Sequence, residues 1–154
     1  MTADAPRTGL PAPDFELANQ FGEPVRLSAL RGENVVLVFY PFAFSGICTG
    51  ELCELRDDLG LFRSENARVL AVSVDHKFAL RAFAEQEGYE FDLLADFWPH
   101  GDVAKAYGVF DDDSGMALRG TFIIDAEGIL RHVIRNPRSQ ARDIQEYHRV
   151  LKEL

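Results

Sequence analysis

The residues best suited to chemistry are two cysteines, Cys48 and Cys53, and the first stands where an apolar run gives way to helical spacing. Before it, Val35-Val36-Leu37-Val38-Phe39-Tyr40 is continuously apolar, β-branched and aromatic, the pattern of a strand with both faces covered. Pro41 ends that run, and Ser45 and Gly46 mark a loop. From Cys48 onward, Leu52, Leu55, Leu59 and Phe62 recur every three or four residues, so a helix is predicted to about residue 63 with Cys48 in its first turn. A free thiol ionises near ~8.5, which leaves only a few per cent as thiolate at neutral pH. Lowering that by two units takes roughly 3 kcal/mol. The unpaired N–H groups and positive dipole end of a helix supply about 0.3–2 kcal/mol of it. A charged hydrogen bond from an arginine would add roughly 1.5–3 kcal/mol, so an arginine should arrive from elsewhere in the chain.

The elements needed to hold such a site follow in order. Residues 14–17 and 25–27 read as short strands around a turn at 20–24, an N-terminal hairpin. After the central run and the Cys48 helix, residues 68–74 form a second buried strand, and strand, helix, strand predicts a right-handed parallel unit. A helix over 77–87 stops at Gly88; a short strand at 91–94 and a short helix at 103–107, ended by Gly108, follow. Residues 120–125 and 129–134 are strands joined by the turn Ala126-Glu127-Gly128. A last helix from about 139 to 154 places Ile144, Tyr147, Val150, Leu151 and Leu154 on one face. The fold class is α/β, in the order of a thioredoxin-like domain: a central mixed sheet flanked by helices, with an added N-terminal hairpin.

Length and composition narrow the functions. At 154 residues and 47% hydrophobic, residues 1–154 fit one domain with a core that needs no disulfide staples. A net charge of −9 without a Lys/Arg cluster argues against nucleic acid and anionic membranes. The first ten residues carry neither an apolar core nor a basic flank, so no secretory signal is expected, and no apolar run approaches the ~18 residues of a membrane span. The expected location is cytoplasmic, where two cysteines are more often chemical than structural.

With Pro41, Ser45 and Cys48 at this spacing, the chain resembles the peroxiredoxins, thiol peroxidases on the thioredoxin fold, whose active-site pattern is Pro, three residues, Thr or Ser, two residues, Cys. Arg119 followed by Gly120-Thr121-Phe122-Ile123-Ile124-Asp125 is similar to the segment that carries the family's active-site arginine. Pro41 to Cys48, Asp96 to Gly101 and Ala106 to Phe110 look like the alkyl hydroperoxide reductase E subgroup, usually called one-cysteine. Cys53 departs from that subgroup: the Cys-x4-Cys spacing resembles the resolving cysteine of the peroxiredoxin Q group.

The resemblance implies an antioxidant oxidoreductase. Cys48 attacks a peroxide as thiolate and becomes a sulfenic acid, with no metal or organic cofactor. Arg119 holds the thiolate and the peroxide oxygens, Ser45 hydrogen-bonds the peroxide, Pro41 covers the sulfur, and Glu51 orients the arginine. Substrates would be hydrogen peroxide, organic hydroperoxides or peroxynitrite. Thioredoxin, mycoredoxin or a low-molecular-weight thiol would be the reductant, and a homodimer through the loops around the site the assembly.

The role of Cys53 stays open on the residues alone. Five helical residues rise about 7.5 Å, beyond the roughly 7 Å limit between disulfide-linked Cα atoms, so an intact helix forbids a Cys48–Cys53 bond. The bond requires the first turns to unwind, which Gly50 eases by about 1 kcal/mol relative to Ala. Otherwise Cys53 is packing near Leu52 and Leu55, and an external thiol reduces the sulfenic acid.

Weaker signals have plainer readings. Phe42, Phe44, Phe97 and Trp98 could line a peroxide pocket, form a dimer face or pack in the core. His76, His100, His132 and His148 lack metal-ligand spacing. Asp111-Asp112-Asp113-Ser114-Gly115 hints at a calcium loop, but Phe122 holds its twelfth position, so an acidic turn is the better reading. Two rival functions are a thioredoxin-type disulfide reductase, against which the lack of Cys-x2-Cys counts, and a non-catalytic redox sensor or chaperone-like protein.

Overall fold

The computed structural model describes residues 5–135 and 143–154, apart from the side chains of residues 47–49. Strands β1 (Glu16–Ala18) and β2 (Pro24–Arg26) pair antiparallel as a separate hairpin, and a 3-10 turn, Leu27–Leu30, follows. The apolar run forms β3 (Asn34–Phe39), all six residues buried. Helix α1 is Gly46–Asp57 and α2 is Leu59–Ser64; β4 is Ala67–Ser73, α3 Lys77–Glu87, β5 Asp92–Ala95 and α4 Asp102–Ala106. A small hairpin, β6 (Phe110–Asp111) with β7 (Met116–Ala117), closes around the acidic tract. There the Asp111 carboxylate accepts from the Asp113 amide and the Ser114 hydroxyl. Then come β8 (Gly120–Ile124), β9 (Leu130–Arg135) and α5 (Ile144–Lys152).

The main sheet has the order β5-β4-β3-β8-β9, with β3 parallel to β4, β4 parallel to β5, and β8 antiparallel to both β3 and β9. Alternation along β3 explains why its pattern is unbroken. Val36, Val38 and Tyr40 enter a core with Leu52, Leu55, Phe62, Leu80, Phe83, Tyr147 and Leu151, the faces of α1, α2, α3 and α5. Val35, Leu37 and Phe39 enter a second core, with Phe15, Val25, Val103 and Tyr107 beneath the N-terminal hairpin and α4. A parallel β3–β4 pair linked by helices ends both strands at the same edge, where ligand-handling loops of open α/β sheets gather.

Two expectations need correction. The helix predicted from 48 to about 63 is two helices, broken at Asp58, whose φ of −98° and ψ of 9° leave the helical range. Its carbonyl accepts from Leu61 and Phe62 to start α2, while its carboxylate turns to His148 on α5. His148 is buried, its Nδ1 2.5 Å from Glu65 Oε1 and its Nε2 3.1 Å from Asp58 Oδ2, with its ring stacked on Phe62. For the last helix, residues 136–142 lie outside the described ones; the described part starts at Ile144, with Asp143 as the cap accepting from the Gln145 amide at 3.0 Å.

Candidate active site

The cysteine loop leaves the buried end of β3 through Tyr40 and Pro41, both buried, and enters α1 at Gly46. Ser45 is the N-cap residue, extended at φ −74° and ψ 146°. Cys48 is the third residue of α1, among the amides that have no intrahelical acceptor, and no acidic residue lies in that first turn to oppose an anion.

Arg119 reaches this helix from the other side of β3. The register pairs Phe39 with Gly120, which sets Arg119 beside the point where β3 becomes the cysteine loop. A Cβ on Gly120 would lie 2.9 Å from Val109 Cγ1, so only glycine lets the strand run this close. The Arg119 guanidinium donates to Glu51 on α1, one turn beyond Cys48, and the two side chains are 3% and 6% exposed. A pair this buried is held by mutual compensation, and breaking such a pair costs about 3–5 kcal/mol. Beneath it, a small space lined by Val38, Glu51, Glu54, Leu55, Ile144 and Tyr147 separates α1 from α5. Partial burial, then the neighbouring Glu51, Asp143 and Asp58 charges, push the Glu54 carboxyl above its ordinary range.

Cys53 is half-buried against the apolar core and points to the end of α3. Its Sγ lies 3.4 Å from the Tyr89 hydroxyl and 3.6 Å from Glu87 Oε2, while Arg56 Nη1 donates to the Glu87 carbonyl at 2.6 Å. Burial, and then the bond to Cys53, push the Tyr89 hydroxyl well above its ordinary range. Because α1 runs unbroken through positions 48 and 53, the helical separation that forbids a disulfide applies to this fold.

The structure thus gathers Pro41, Ser45, Cys48, Glu51 and Arg119 around one end of β3, with Cys53 on another face of the same helix. Sequence reasoning missed Asp75. Its Oδ2 accepts from the Ala43 amide at 2.8 Å, inside the cysteine loop, and from the Ser73 hydroxyl at 2.7 Å. The available signal was an acid two residues past the end of a buried strand adjacent to β3. Next to Ala43, Phe44 has φ of +69°, a left-handed conformation that costs a non-glycine residue on the order of 1–2 kcal/mol, and its ring meets Phe83 at 4.9 Å. The aromatic residues near the loop do not form core: Phe42, Phe44, Phe97 and Trp98 are all exposed, Trp98 to 81%. A cavity of about 800 Å³, lined by Asn34, Asp125, Arg131 and Leu151 among others, holds no residue of this constellation. Among the described residues, no group of three or more His, Cys, Asp or Glu could hold a metal ion, and no helix is long and apolar enough to cross a membrane.

Comparison with known proteins agrees with this geometry. The AhpC/TSA family profile matches residues 8–133. Alkyl hydroperoxide reductase E of Mycobacterium tuberculosis is 47% identical over 136 residues, 88% of this chain and 89% of that one. Among solved structures, peroxidoxin BcpB of Mycobacterium tuberculosis superposes with a TM-score of 0.87 at 33% identity, covering 97% of this chain and 98% of that one. Enterococcus faecalis AhpC superposes with a TM-score of 0.85 at 30% identity over 96% and 92% of the two chains. Sequence, sheet order and superposition converge: the chain belongs to the AhpC/TSA family and is a peroxiredoxin, a thiol-dependent peroxidase on a thioredoxin-like fold.

Proposed function

We propose that Cys48 is the peroxidatic thiol of a single domain spanning residues 1–154. Its thiolate attacks one oxygen of a peroxide; the S–O bond forms as the O–O bond breaks, and the departing oxygen takes a proton to leave as water or an alcohol. Cys48 is then a sulfenic acid. The buried Arg119, aimed at α1 and oriented by Glu51, is the observation that carries this reading: it supplies a fixed positive charge where the thiolate and the polarised peroxide need it. Ser45, at the entry to α1, hydrogen-bonds the peroxide, and buried Pro41 shields the sulfur from water. Organic hydroperoxides are favoured by the name of the M. tuberculosis relative, with hydrogen peroxide and peroxynitrite as further substrates.

Recycling uses a second thiol, either Cys53 after α1 unwinds or an external one, with thioredoxin, mycoredoxin or a low-molecular-weight thiol as the final reductant. The exposed Phe42, Phe44, Phe97 and Trp98 supply an apolar face for a cytoplasmic homodimer.

The test is the intact mass of the reduced protein after one equivalent of peroxide, with and without a sulfenate-trapping reagent. Loss of two hydrogens without an adduct assigns resolution to Cys53; a trapped sulfenate assigns it to an external thiol. Cys48→Ser should abolish turnover, and an unchanged mass in the parent protein would overturn the peroxidatic role.

A further inference from the structure

The geometry points to Asp75 as the positioning residue that holds the cysteine loop in its reactive shape, an inference that rests on Cys48 being the peroxidatic thiol. The loop between Pro41 and Ser45 belongs to no strand or helix, yet it must deliver the first turn of α1 to Arg119. Within it, Phe44 sits at a φ of +69°, which an L side chain rarely adopts, so something other than local preference keeps it there.

Two contacts flank that residue, and both come from the chain following β4. On one side, the Ala43 amide donates to Asp75 Oδ2 at 2.8 Å. On the other, the Phe44 ring packs on Phe83 of α3, which is wholly buried. The carboxylate is itself held in place, because its Oδ2 also accepts from Ser73 Oγ at 2.7 Å and Ser73 is a fully buried residue at the end of β4. Asp75 has no competing duty as the cap of the helix that follows it. His76 does that work, its Nδ1 accepting from the Phe78 amide at 3.3 Å.

The side chain is thus committed to a backbone N–H of the neighbouring loop. The parallel β3–β4 pair places it there: Phe39 lies opposite Val72, so the residues just beyond each strand meet across the sheet edge. Displacement of reacting groups by about 1 Å lowers a rate by as much as 10²-fold, so a loop released at Ala43 slows the chemical step without touching Arg119 or Glu51.

The experiment compares Asp75→Ala and Asp75→Asn with the parent protein in single turnovers, reading the rate of Cys48 sulfenate formation with hydrogen peroxide beside the melting temperature. Asp75→Ala is expected to slow the reaction by at least about tenfold. Asp75→Asn, which keeps an oxygen acceptor for the Ala43 amide, should restore most of the rate. The charge alone predicts otherwise: removing a negative charge favours a nearby thiolate, so both variants would then react as fast as the parent or faster.

If Asp75→Ala does not fold, Asp75→Ser, whose shorter side chain falls short of the amide, carries the same expectation. A parent-like rate in the Ala or Ser variant overturns the inference, as does an Asn variant as slow as Ala. Failure of the parent itself to form a sulfenate would instead overturn the peroxidatic role of Cys48.

Discussion

Glu51 and Arg119 form a buried ion pair across 68 residues of sequence, joining the helix that carries Cys48 to the residue just before β8, the strand antiparallel to β3. The pair fixes the arginine against α1. Replacing Glu51 by Ala takes the carboxylate away from a buried guanidinium, and the expected loss of stability is about 3–5 kcal/mol. Denaturant unfolding measures it, and a loss under ~1 kcal/mol, the scale of an exposed pair, would contradict the burial of this one.

Gly50 lies between the two cysteines on α1, and a Cβ placed there meets nothing within 4 Å. Gly50→Ala therefore adds helix propensity without a clash, roughly 1 kcal/mol in favour of the intact helix. Where the intramolecular disulfide forms by unwinding, it should form about fivefold more slowly, while sulfenate formation keeps its rate. Quenched mass spectra over time separate the two steps; equal rates of disulfide formation in both proteins would show that unwinding is not on the route.

Burial pushes the Asp96 carboxyl up to about 6 from its ordinary 3.8, against the two bonds it accepts from the amides of Ala104 and Val103 at the start of α4. The folded protein then holds this proton more tightly than the unfolded chain does. The group's contribution to stability is greatest below the unfolded value of 3.8 and declines as pH rises towards about 6. A carboxyl-carbon NMR titration should place the Asp96 midpoint near 6, and a midpoint near 4 would contradict the burial assigned to it.

What the residues announced was local. The apolar run of β3, the amphipathic start of α1 and the glycine turn before β9 each carry their signal within a few positions. The break at Asp58 carries none, because Leu52, Leu55, Leu59 and Phe62 keep helical spacing across it, and the break is accompanied by a bond to His148, 90 residues away. Asp75 offered only its place two residues past a buried strand: its partner is the Ala43 amide, and a backbone N–H leaves no mark in a sequence. Arg119 and Glu51 came into view through family resemblance, since nothing in their spacing says that they meet. Phe42, Phe44, Phe97 and Trp98 could have been core or surface by type alone, and their positions in loops at the sheet edge decided for surface.

The interruption at Asp58 also divides the molecule by mechanical role. Upstream of it, α1 carries both cysteines and has a glycine in its middle. Downstream, α2 is stapled to α5 through Phe62 and Glu65, which grip the His148 ring, while Asp58 itself completes the grip from the junction. Melting of α1 thus meets a fixed boundary at residue 58, as a crack meets a rivet. If Cys53 resolves Cys48 by unwinding, the segment that has to open is the twelve residues of α1, with the sheet and the carboxy-terminal helix outside it.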